Sequence, residues 1–306
     1  MPKNIGMIVH DSLPWLRVWP KVFKRLCGLF LYDFSIAALY VFGGLHFLAM
    51  SGLPLTILGS AIGVFLAFRT SSAYDRWWEA RTLWGGLVNY SRTLARQSLT
   101  LISPESHEAR QTQHSLVMMQ IAFVCALRCH LRGQNPYPEL GGILPEETLE
   151  SLRRYNNVPA AILLKMGHET RTAFEEGWID SIRLSALDET LTQLTNVQGA
   201  CERIKNTPLP RQYDYFPRLL VTFFCLLLPL GFLEEFGIAT PVASTFVSFA
   251  FIVLDSIGRD IETPFANTVH DTPMTTLSRN IEIDLRQHLD QRDIPAEIQS
   301  VGGLMY

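Results

Sequence analysis

Charge is scarce in this chain. Asp, Glu, Lys and Arg make up only 18% of its 306 residues, and the formal net charge is −3. That leaves no global basic field for DNA or RNA, so no nucleic-acid partner is expected. A disulfide framework is missing as well. The five cysteines, Cys27, Cys125, Cys129, Cys201 and Cys225, are odd in number and follow no pairing pattern. Cys27 and Cys225 border or lie in apolar runs, where a free thiol behaves as a small hydrophobe. Catalytic signatures are equally thin: no G-x-S-x-G elbow, no H-E-x-x-H, no glycine-rich phosphate loop. His107-Glu108 and His168-Glu169 read as solvated pairs on polar helices. Cys125, Cys129 and His130 share one helical neighbourhood, but four ligands in a convincing spacing are lacking, so core packing is the reading and no metal is expected.

What the chain has is apolar surface. Hydrophobic residues reach 48%, phenylalanine alone numbers 18, and mean hydropathy is +0.14, which excludes disorder and collagen-like repeats. The apolar residues are unevenly spread, as in a membrane protein with a large polar portion. One run goes from Gly28 to about Met50, a second from Pro54 to Phe68, a third from Phe216 to Leu233 and a fourth from Ala239 to Ile257. Each approaches the roughly 20 residues that cross a bilayer. The first has an apolar core too long for a signal peptide and no small-residue cleavage site after it. Short joins, Ser51-Gly52-Leu53-Pro54 and Glu234 to Gly237, pair the runs into two transmembrane hairpins. Four buried helices of a soluble bundle are the alternative.

Lysine and arginine set the direction. The leading segment carries Lys3, Arg17, Lys21, Lys24 and Arg25; Arg69, Arg76 and Arg81 follow the second run; Arg218 opens the third and Arg259 follows the fourth. The hairpin tips carry no basic residue. Both termini and the stretch from 69 to 215 are therefore expected in the cytoplasm. The fold class is all-α, with domains at 1–71 (leading segment and first hairpin), 72–215 (cytoplasmic helices), 216–258 (second hairpin) and 259–306 (cytoplasmic tail). Within the cytoplasmic region, Leu187, Leu191, Leu194, Val197, Cys201 and Ile204 form one apolar stripe at helical spacing. A separate long helix is expected from about Ser72 to Leu101, ended by Pro104, and the Pro/Gly-rich stretch from Gly133 to Pro145 reads as a loop.

In the second run Ser60, Val64 and Phe68 share one helix face. Gly59, Gly63 and Ala67 form a small-residue stripe beside it, which permits close helix approach in a bilayer. Phe68-Arg69 fits an interface anchor equally well. The continuation is more specific: Tyr74-Asp75-Arg76-Trp77-Trp78-Glu79-Ala80-Arg81, then Leu83-Trp84-Gly85. With Cys201-Glu202-Arg203-Ile204, Asn206-Thr207-Pro208-Leu209-Pro210, Pro229 and Asp260-Ile261-Glu262-Thr263-Pro264-Phe265, the chain resembles the bestrophin family in its bacterial branch, over about Leu29 to Leu285.

The resemblance implies a homopentameric ion channel, passing monovalent ions along one central pore and surrounded by membrane lipid. Carried over by position, the pore neck is Ser60, Val64 and Phe68, and the cytoplasmic aperture is Ile182, with Ile179 or Ser185 as alternatives. Animal relatives conduct chloride, whereas the bacterial branch is linked to monovalent cations. Asp180, beside Glu175 and Glu176, is the selectivity candidate for a modest cation preference over chloride. Animal bestrophins carry an acidic calcium clasp after a Pro-Phe-Gly turn. Here the turn reads Pro264-Phe265-Ala266-Asn267-Thr268-Val269-His270-Asp271, with a single acid, so no cofactor is expected. A transporter or scaffold without an open pore is the competing function, but a transporter would show paired helix breaks around a midplane site, and only Pro229 offers one. A membrane-bound enzyme lacks any nucleophile–base–acid set.

Overall fold

The computed structural model of the chain describes residues 7–8, 15–210, 212–268, 270–299 and 304–305, with side chains described from Val22 to Gln299. Lys3 and Val269 lie outside the described residues, as do the side chains of Arg17 and Lys21. Among the described residues the chain is helical, apart from a two-residue antiparallel pair, β1 (Met7–Ile8) against β2 (Leu304–Met305), in the register Met7 to Met305. It divides into two compact units.

The apolar unit comprises α1 (Trp15–Val41), the first part of α2 (Gly52–Leu101) as far as Trp77, α8 (Gln212–Phe236) and α9 (Thr240–Ile261). Its core joins Val22 and Leu26 of α1, Ile62 and Leu66 of α2, Val221, Phe224 and Leu228 of α8, and Ile252 of α9. The four apolar runs fall one on each helix, with shifted ends. Helix α1 stops at Val41, nine residues short of Met50, because Gly43-Gly44 follows and Gly44 adopts φ 64°, which favours glycine. The chain then makes a 3-10 turn at His46–Leu48, and Met50 N–H donates to the Leu230 carbonyl at 3.0 Å. Gly237, at φ 48°, and Pro241 in the first turn of α9 separate α8 from α9 in the same manner.

Nothing interrupts α2. The separate helix expected from Ser72 is the continuation of the second apolar run, in one 50-residue helix. Between Phe68 and Ser72 there is no glycine or proline to stop it.

The bundle unit contains the rest of α2, α3 (His107–Arg132), α4 (Tyr137–Leu140), α5 (Glu146–Leu152), α6 (Val158–Glu175), α7 (Ser181–Asn206) and α10 (Met274–His288). Capping follows the sequence. The Ser106 hydroxyl accepts from Ala109 N–H at the start of α3, and Gly133, at φ 65°, closes it. The stripe Leu187, Leu191, Leu194, Val197, Cys201 and Ile204 is buried on α7, as are Ile281 and Leu285 on α10. Among the described residues three helical stretches are long and apolar enough to cross a membrane: His46–Leu101, His107–Arg132 and Gln212–Ile261. The middle one is α3. Packing against α6, α7 and α10 within its own unit buries it as the core helix of that bundle, leaving little apolar face for lipid.

Candidate pore-lining site

Helix α2 is two-faced. Leu55, Gly59, Ile62, Leu66, Arg69 and Ala73 turn inward at spacings of three and four, while Leu53, Ile57, Ser60, Val64 and Phe68 are exposed. Phe68 is 69% exposed and Val64 58%. The structure therefore puts Ser60, Val64 and Phe68, the residues expected at a neck, on one open face. From Leu53 to Ser72 no exposed residue of α2 is charged. Of the small-residue stripe, only Gly59 is pressed: a Cβ there would lie 2.9 Å from the Phe224 ring. Gly63 meets nothing within 4 Å and Ala67 is exposed.

Arg69 is the one ionised group in that segment, and it faces away from the stripe. Its side chain is 1% exposed, with Nη1 donating to Asp255 at 2.8 Å and Nη2 to Asp214 at 2.8 Å; Glu262 lies 3.5 Å away. Arg259 completes the cluster, 3.0 Å from Asp255. The sequence reading of Arg69 as an interface anchor is corrected here: the guanidinium is an internal staple linking α2 to α8, α9 and the residue after α9. Asp33, which merely interrupted an apolar run in the sequence, is also buried, and its carboxylate accepts from the hydroxyls of Ser244 and Thr245, linking α1 to α9. Hydrophobic pattern alone could not reveal either link, because the partners lie far away in sequence.

In the bundle unit Ile182 is 80% exposed, whereas Ile179 is 4% exposed and packed into the core. Ser185 is exposed. Asp180 caps α7: its carboxylate accepts from Arg183 N–H at 2.8 Å and lies 3.5 Å from the Arg183 guanidinium. Glu175 pairs with Arg171.

The tryptophan-rich motif divides. Trp84 is fully buried, but Trp78 is 55% exposed. Alternation of helix faces explains it, since Trp78 lies six residues before Trp84. Trp78→Ala is therefore expected to change thermal stability by only about 0.5 kcal/mol, as for other surface substitutions, read by circular dichroism melting. A loss of several kcal/mol would place Trp78 in a subunit interface. Glu79 pairs with Arg203 rather than within its own turn, tying the two most distinctive motifs together. Neighbouring Glu202 accepts from Asn157 at 2.9 Å and Gln198 at 2.8 Å, with His130 at 3.4 Å.

His130 therefore turns to Glu202, while Cys125 is buried. Burial pushes the Cys125 thiol up to about 12, and Cys201 likewise to about 12. A protonated thiol is the wrong state for a metal ligand. These raised values favour the folded state fully below the ordinary thiol pKa of about 8.5, and the contribution is lost as pH climbs above it. Melting temperature should fall as pH rises from 8 to 10.5, less steeply in Cys125→Ala. Of the surface pairs, His107, Glu108 and His168 are exposed, whereas Glu169 is half-buried and burial raises its carboxyl.

A helical protein with an uncharged, exposed stripe on a long membrane-competent helix is built like a channel subunit. A sequence model described as the bacterial/fungal bestrophin protein family matches residues 14–287. A voltage-dependent anion channel-forming protein of Ralstonia nicotianae is 36% identical, over 95% of this chain and 97% of its own length. One of the same description from Escherichia coli K12 is 35% identical, over 95% and 97%. The crystal structure of a bacterial bestrophin homolog from Klebsiella pneumoniae superposes with a TM-score of 0.83 at 31% identity, covering 89% of this chain and 99% of that one. This chain belongs to the bestrophin family, which comprises membrane-embedded ion channels rather than enzymes.

Proposed function

We propose that the protein is a homopentameric channel conducting monovalent ions passively across the bacterial inner membrane, both termini cytoplasmic. Four membrane helices, α1, α2, α8 and α9, form two hairpins, and Ser60, Val64 and Phe68 line the neck. The observation that carries this reading is the exposed face of α2 from Leu53 to Ser72, which carries no charge, while Arg69 in the same stretch is bound to carboxylates behind it. Such a neck gates by dewetting and leaves the sign of the ion to charges elsewhere. Ile182, exposed at the start of α7, is the proposed aperture, and Ile179, held in the core, is not. Ile182→Ala should raise conductance without changing ion preference.

The tail is read as a structural belt that needs no calcium. Asp271 is buried and already accepts from Asn267 N–H and the Thr268 hydroxyl, so its carboxylate closes the turn rather than opening toward a cation. The ion preference is for cations, supported by the exposed acids Glu234 and Glu235 in the last turn of α8 and Glu176 just after α6. A second reading, anion conduction, is favoured by the names of the relatives. Purified protein in planar bilayers tests both: discrete single-channel currents support a channel, and the reversal potential under asymmetric salt gives the sign. Silence with saturable uptake would indicate a transporter.

A further inference from the structure

We propose that Asp75 supplies the charged ring that selects small monovalent cations just past the neck, an inference that rests on the pore-lining reading above. Helix α2 is unbroken from Gly52 to Leu101, so its register carries from the neck to Asp75 without a slip. Asp75 lies two turns beyond Phe68, only ~20° away around the helix axis. It is exposed, and no ion pair engages it among the described residues. Of the other acids near candidate constrictions, Asp180 is committed to Arg183, Glu175 to Arg171 and Glu79 to Arg203. Neighbouring cations do not cancel it on this face, since Arg69 is 1% exposed behind the helix and Arg76 is half-buried.

The hydroxyls on the same side of α2 point to the same ion sign. Thr56 donates to the Gly52 carbonyl at 3.0 Å, Ser60 to Thr56 at 2.9 Å and Ser72 to Phe68 at 3.0 Å. Each O–H is spent on its own backbone, so the oxygen lone pairs are what remains for a passing ion. Lone pairs replace the hydration of a cation; an anion needs the donors that are already used. Five copies of this face leading to five Asp75 carboxylates would concentrate cations and repel anions.

Reversal potentials in a KCl gradient at low ionic strength test the assignment, comparing wild type, Asp75→Asn, Asp75→Lys and Asp180→Asn. The cation-to-anion permeability ratio should fall about tenfold in Asp75→Asn, the lower end of the enrichment a one-sign cleft produces. It should invert in Asp75→Lys and change far less in Asp180→Asn. Raising the salt should shrink every difference. If the lysine variant does not assemble, Asp75→Cys can be modified after assembly with cationic and anionic thiol reagents, in a Cys27→Ser background that removes the exposed native thiol. Opposite shifts from the two reagents support the ring. Conducting Asp75 variants with an unchanged reversal potential overturn it while leaving the channel intact. Wild-type protein that passes no current overturns the channel reading itself.

Discussion

Phe68→Ala channels should pass several times more current than wild type. Phe68 is the bulkiest of the three exposed neck residues, and its ring is 69% exposed, so the subunit core does not depend on it. In the proposed pentamer five phenyl groups at one level would make a ring that water leaves readily, and trimming all five to methyl groups would both widen the passage and weaken the dewetting barrier. A reduction of about 1 kcal/mol in that barrier multiplies the rate of ion passage about fivefold. Single-channel recording with size-exclusion chromatography is the measurement. Unaltered conductance in a correctly assembled Phe68→Ala protein would mean that the ring faces lipid or a neighbouring subunit, and the neck would have to be moved to another face of α2.

Arg69→Ala should destabilise the apolar unit by about 3–5 kcal/mol, the usual result when one partner of a buried ion pair is removed. The deletion would leave the buried carboxylate of Asp255 without its closest cation, although Arg259 remains at 3.0 Å. Arg69→Lys should recover only part of the loss, because a single ammonium nitrogen replaces the planar fork whose two separate nitrogens reach Asp214 and Asp255. Arg69→Met combined with Asp255→Asn should be more stable than Arg69→Met alone, since the double change removes the stranded charge. Thermal melts of the four variants in detergent measure this. An Arg69→Ala protein that melts within a degree of wild type would show that the cluster contributes little.

Much of this was legible from spacing. The apolar runs located the membrane-competent helices because a bilayer demands long apolar segments, and the stripe on α7 followed from helical period. Ser60, Val64 and Phe68 shared a face by arithmetic alone. The helix ends were less legible. Met50 is apolar but lies outside α1, because glycine geometry at Gly44 stops the helix before hydrophobicity does. The α2 junction was misread for the converse reason: hydropathy changes after Phe68, and a change of solvent was taken as a change of element. Helix propensity does not change there, and backbone hydrogen bonds continue through it. The partners of Arg69 and Asp33 depend on tertiary placement, which no local window contains.

The Arg69 cluster also has a schedule. Asp214, Asp255 and Glu262 follow Arg69 by 145, 186 and 193 residues. A chain made from its N-terminus at ~5–20 residues per second reaches the first of these carboxylates many seconds after the guanidinium has emerged. The first hairpin must therefore enter the membrane with a cation that has nothing to neutralise it, and such a side chain waits at the lipid–water boundary until the second hairpin arrives. Only then can the guanidinium make the contacts with Asp214, Asp255 and Glu262 that hold it inward. A ribosome halted before Asp214 would therefore leave a membrane-bound fragment whose Arg69 has met none of these three carboxylates.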